Sequence, residues 1–165
     1  MQVNIGTSGY NYRDWKERFY PEGLAQSKWL AYYATKFSTV EVNATFYRSF
    51  SQTVYSHWAE KVPENFSFTI KGSRFITHLK QLRDVEEPIE KFFTESSGLG
   101  KKLGCILWQF PGRFTLEQDK EEKLERLNHF RKIVLHHRLS AASSSVQRVA
   151  SAFVQQGQAT ATGPI

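Results

Sequence analysis

The chain has one cysteine, Cys105, among its 165 residues. No disulfide can form within it, which fits a reducing compartment. It has no apolar run near the roughly 20 residues of a membrane-spanning helix, so no membrane partner is expected. The start, Met1-Gln2-Val3-Asn4-Ile5-Gly6, lacks the basic and then apolar order of a secretory leader. A cytoplasmic setting is the expectation. No Cys/His cluster has metal-ligand spacing, and His78 alone is a weak metal candidate. Gly6-Thr7-Ser8-Gly9 matches neither a dinucleotide loop nor a Walker loop. No cofactor and no metal are therefore expected. Acidic residues are missing after Glu125.

What is present is ring-rich and basic. Hydrophobic residues make up 40%, aromatics 15%, and the formal net charge is +6. The length suits one domain with a real core. The charge admits anionic partners, nucleic acid among them, although moderate positive charge also serves solubility.

The stretch Thr39-Val40-Glu41-Val42-Asn43-Ala44-Thr45-Phe46-Tyr47-Arg48 begins as a strand. Val40 and Val42 point one way, and Thr39, Glu41 and Asn43 the other. Phe66 to Lys71 repeats that alternation and again ends with a charge on the polar face. Val3 to Gly6 reads as a first strand, followed by a loop from Gly6 to Gly9. Leu103 to Phe110 is nearly continuous apolar, as a strand buried on both faces would be. Helices are expected at about Ser27–Phe37, with Ser27 as cap, and from Ser51 or Thr53 to Lys61. Two more are expected at Val85–Glu95 and Leu116–Ile133, the last with Leu124, Leu127 and Phe130 inward. Gly72 to Asp84 is a long loop.

This order is β-α four times, which predicts a parallel α/β sheet. A (β/α) TIM-type barrel needs eight such units and about 250 residues, so the chain supplies a half-barrel. The expected division is a half-barrel over 1–133 and a low-complexity tail over 134–165. Within the tail, a weak helix at Val146–Gln156 is expected. The tail reads as frameshifted, truncated or a novel end.

Many ordered segments are similar to the YecE-like family, also called domain of unknown function 72. They include Gly6-Thr7-Ser8-Gly9-Tyr10 with Trp15, Phe19-Tyr20-Pro21, Val40 to Arg48, Phe66-Ser67-Phe68, and Thr77-His78. Lys102-Leu103-Gly104 and Gln109-Phe110-Pro111 continue the match. The resemblance runs from about Ile5 to Phe130 and covers the family's first half. It implies a barrel similar to sugar isomerases and metal-dependent DNA-repair endonucleases. A divalent metal is implied only for a full-length relative. The chain departs from the family at Pro111-Gly112, where two prolines are usual, and after about Val134.

In a parallel barrel the site lies at the C-terminal ends of the strands. That selects Thr7, Ser8, Glu41, Asn43, Thr69, Lys71 and Gln109. Glu41 and Lys71 are the catalytic candidates, as an acid/base pair or a carboxylate held by a cation. A structural ion pair is the alternative. Arg48, Arg74 and His78 sit in loops suited to a phosphate or carboxylate, or are solvated loop charge. Tyr47 and its neighbouring rings can stack on sugars or bases, or pack in the core.

Three functional readings follow. The first is a hydrolase or isomerase on a phosphorylated or sugar-like ligand. The second is a module binding RNA or single-stranded DNA. The third is a non-functional truncated fragment. Self-association through unclosed sheet edges is a further expectation.

Overall fold

A computed structural model describes residues 4–115, 117 and 119–141, with backbone alone at 138–141. Four strands form one sheet: β1 (Gly6–Ser8), β2 (Thr39–Val42), β3 (Ser67–Lys71) and β4 (Leu103–Leu107). Their order is β1-β2-β3-β4 and every pair is parallel. Helices α1 (Trp29–Tyr33), α2 (Ala44–Tyr47), α3 (Gln52–Glu60), α4 (Glu86–Ser96) and α5 (Lys120–Ala141) fall between and after the strands. The α/β order read from the sequence is therefore the observed one.

Strand alternation sets the core. Val40, Val42, Phe68, Ile70 and Ile106 are all buried on one face. Tyr20, Trp29 and Tyr33 pack against that layer, and the Tyr20 and Trp29 rings stack with centroids 4.3 Å apart. Removing each such side chain from water contributes about 1.5–3 kcal/mol.

Several local expectations shift. The first strand is Gly6–Ser8 rather than Val3–Gly6, and Val3 lies outside the described residues. Gly6 allows the close pairing: a Cβ there would lie 2.0 Å from Thr39 O. Ser27 does not cap a helix. It sits in a 3-10 turn (Gln26–Lys28), and α1 begins only at Trp29. The central strand stops at Val42, and Ala44–Tyr47 turns helical. Thr45 drives this, its Oγ1 lying 2.9 Å from Val42 O and 2.7 Å from Lys71 O. In α3 Tyr55 is the fully buried ring, while Trp58 is half-buried.

The long loop after β3 contains a π-helical turn, Phe75–Leu79, closed by Lys80 N–H donating to Phe75 O at 2.8 Å. Strand β4 is not buried on both faces. Ile106 is buried, whereas Leu103, Cys105 and Leu107 are half-buried, because no described element covers the sheet's other face. Helix α5 starts at Lys120, led by Glu121 and Glu122, and runs past residue 133. Its buried residues include Phe130 and Val134, while Leu124 is exposed. The helix expected at Val146–Gln156 lies outside the described residues.

Candidate functional site

The sheet register sets one polar row: Ser8 beside Glu41, Glu41 beside Thr69, and Thr69 beside Cys105. This row lies on the face opposite Val40, Phe68 and Ile106, because side chains alternate along a strand. Ser8 Oγ donates to Glu41 Oε1 at 2.7 Å, and Asn43 Nδ2 donates to Ser8 Oγ at 2.9 Å. Lys71 Nζ lies 3.5 Å from the same Glu41 oxygen. The Lys71 and Glu41 side chains are 19% and 24% exposed, so solvent reaches both. Asn43 Oδ1 is buried without a hydrogen-bond partner among the described residues. Gly9 N–H donates to Glu41 O at 2.8 Å and ties the loop after β1 to β2.

Three strand ends thus bring together a carboxylate, an ammonium, a hydroxyl and an amide. A carboxylate of this kind can take a proton, and an adjacent ammonium can stabilise a developing oxyanion. Among the described residues no group of three His, Cys, Asp or Glu side chains has the arrangement to hold a metal.

Thr7 is placed elsewhere. It registers with Val40 on the helix-facing side. Its N–H donates to Tyr33 Oη at 2.8 Å and its Oγ1 to Gly9 O at 2.6 Å. Gln109 follows β4, half-buried, and no hydrogen bond among the described residues joins it to the Ser8–Glu41 cluster.

The loop residues form a second grouping. Tyr47, Arg48 and Arg74 line a cavity of about 960 Å³. The Arg74 guanidinium lies 6.0 Å from the Tyr47 ring centroid, and that of Arg48 lies 4.6 Å from the Phe50 ring. His78 is not in the cavity lining. Its ring meets Phe46 edge-on at 5.0 Å, and Nδ1 lies 2.9 Å from Thr77 Oγ1. Burial lowers its pKa, and the nearby Arg74 and Arg113 lower it further.

Two participants escape a reading of the sequence. Tyr12 Oη donates to Ser8 O and braces the β1 loop. Cys105 shares the polar row with Glu41 through the register. The apolar run around Cys105 hides its facing, but strict alternation from Ile106 would reveal it.

Known proteins match both the sequence and the fold. A model of the family described as "Protein of unknown function DUF72" matches residues 4–150. The UPF0759 protein YecE of Escherichia coli K12 is 32% identical over 82 residues, or 50% of this chain and 30% of that protein. The UPF0759 protein YunF of Bacillus subtilis 168 is 27% identical over 133 residues, covering 77% of this chain and 46% of that protein. A DUF72 family protein from Thermotoga maritima superposes with a TM-score of 0.66 at 31% identity, covering 93% of this chain and 56% of the other. A second, from Enterococcus faecalis V583, gives 0.61 at 25% identity, covering 78% and 46%. The match to this chain thus spans about half the length of most of these relatives, and less of YecE. With the family model spanning the whole parallel sheet and both groups of polar residues, the chain belongs to the DUF72 family.

Proposed function

We propose that the four β-α units are half of a TIM-type (β/α) barrel. On this reading the strand-end cluster is half of an acid–base site, acting as a hydrolase or isomerase on a sugar-like ligand, phosphorylated or not. Glu41 takes the proton, from a substrate hydroxyl, a bound water or a carbon next to a carbonyl. Lys71 faces the negative charge that then develops on oxygen. Ser8 and Asn43 hold ligand hydroxyls and orient the carboxylate. The likeness in fold to longer relatives, of which the match covers about half, supports the half-barrel. The observation that carries the site is Glu41 Oε1, within 2.7 Å of Ser8 Oγ and 3.5 Å of Lys71 Nζ at three adjacent strand ends.

The test is a metabolite screen of a full-length relative, monitoring turnover of sugars, sugar phosphates and sugar lactones. The substitution matching Glu41→Gln is the control. Turnover reduced by at least about a hundredfold is expected, since general acid–base groups contribute about 10²–10⁴. Unchanged turnover in that variant would remove the role given to Glu41.

A further inference from the structure

We propose that the cavity bordered by Tyr47 and Arg74 binds a short peptide, and that it does so independently of the Glu41 cluster. Its volume of about 960 Å³ lies at the upper end of the range for small-ligand pockets, more than one amino acid fills. Its lining carries three kinds of group, and a peptide with free ends satisfies all three.

The first kind is cationic. Arg48 and Arg74 make no ion pair among the described residues, and their guanidinium groups lie over the Phe50 and Tyr47 rings. Lys80 also lines the cavity and makes no ion pair among the described residues. Guanidinium groups prefer bidentate carboxylate partners. The second kind is anionic. Asp84 and Glu87 face the cavity from the loop before α4 and from its first turn, and neither makes an ion pair among the described residues. Glu86 and Glu95 are already engaged, by His129 and by Lys91 with Ser49. The third kind is apolar. Tyr47, Phe75 and Leu79 are 69%, 44% and 60% exposed, and exposed apolar side chains grouped in this way mark contact sites. Phe75 and Leu79 are held there by the π-helical turn. Asp84 sits at φ +48 in a loop where Gln81 and Leu82 are also left-handed. Such backbone persists only when its surroundings fix it.

A simple anion would satisfy Arg48 and Arg74 and leave two carboxylates facing it. A peptide instead places its carboxylate on the guanidinium groups and its ammonium on Asp84 and Glu87. Its apolar side chains then lie on Tyr47, Phe75 and Leu79.

The experiment is calorimetric titration of the full chain with the dipeptide Phe-Phe, its N-acetyl form, its C-terminal amide, inorganic phosphate and an oligothymidylate. Circular dichroism checks that each variant is folded. Phe-Phe is expected to bind, and blocking either end to weaken binding about tenfold. In Arg74→Gln the amide and the free dipeptide should bind equally. In Asp84→Asn, a change the left-handed φ tolerates, the acetylated and free forms should bind equally. Glu41→Gln should leave the affinity unchanged, so failure here and failure of the acid–base reading are separable. No binding to the folded chain would overturn the proposal. So would equal binding of the acetylated dipeptide to the unsubstituted chain, preference for phosphate or oligothymidylate, or a loss in Glu41→Gln as large as in Arg74→Gln.

Discussion

Ser8 and Glu41 stand side by side on neighbouring parallel strands, joined by a 2.7 Å hydrogen bond from hydroxyl to carboxylate. The same Glu41 oxygen faces Lys71, so Ser8 and Lys71 share one acceptor. Solvent reaches the ion pair, so its own contribution to stability is small, up to about 1 kcal/mol. A double-mutant cycle with Glu41→Gln and Lys71→Met, followed by urea unfolding, should give a coupling within that bound. A coupling of several kcal/mol would make the pair a structural strut rather than a site.

Lys102 is a different kind of cation. Its Nζ donates to Ala59 O and Val62 O, each at 2.8 Å, and lies 3.3 Å from Glu64. It is buried and satisfies carbonyl groups at and beyond the C-terminal end of α3, where positive charge is favoured. Lys102→Met keeps the packing and removes the donors. It should destabilise the fold by about 2 kcal/mol, since charged hydrogen bonds are worth about 1.5–3 and desolvation offsets part. Chemical denaturation measures it. An unchanged midpoint would show that water replaces the ammonium.

Gly72 follows β3 directly under Trp108. A Cβ on Gly72 would lie 2.1 Å from the Trp108 ring, which is buried against Phe92 and Phe130. The ring has nowhere to retreat. Gly72→Ala should cost at least about 1–3 kcal/mol, the range for overpacking a core. Thermal melting tests it. Gly112→Ala is the control, because a Cβ there meets nothing within 4 Å.

The strands were legible where alternation was clean. Phe66-Ser67-Phe68-Thr69-Ile70 declares its two faces, and Phe68 and Ile70 are fully buried. Glu41 and Lys71 could be named because each ends the polar face of such a strand. Thr7 could not be placed, since a three-residue strand beside two glycines has no pattern long enough to fix its facing. The helical turn after Val42 was hidden because Ala44-Thr45-Phe46-Tyr47 has strand-forming rings and a β-branched residue. Its cause is a tertiary contact from Thr45 to Lys71 O. The π-helical turn likewise has no signature in the sequence. The grouping of Tyr47, Arg48 and Arg74 around one cavity depends on both turns.

Acid should weaken the fold in two steps. His78 has a pKa below its ordinary value of 6.5, chiefly through burial, with Arg74 and Arg113 adding to it. Below that value the unfolded chain takes the proton first. Stability is therefore full above about pH 6.5 and declines as pH falls toward the lower folded pKa. Glu86 is also lowered, chiefly by its hydrogen bond with His129. Its contribution is present above its ordinary value of 4.5 and is lost as pH falls through the folded pKa. Melting temperature should thus fall between pH 7.5 and 5.5, then further below 4.5. His78→Gln should flatten the upper part alone. An equal slope in that variant would assign it to another group.

The last prediction concerns the sheet edges. Strands β1 and β4 each have one strand neighbour among the described residues. Strand β4 reads Leu103-Gly104-Cys105-Ile106-Leu107 and carries no charge. Unpaired backbone on an uncharged strand is a template for pairing with another chain, and charged residues are the usual guard against it. The half-buried Leu103 and Leu107 add an apolar reason to associate. The chain should therefore self-associate as its concentration rises, two copies supplying eight strands, the number that would close the barrel proposed above. Light scattering coupled to size-exclusion chromatography reads this directly. The association should persist in reducing agent and in Cys105→Ser, which excludes a disulfide link through the one cysteine. A monodisperse monomer across the concentration series would show that residues outside β4 already cover its edge.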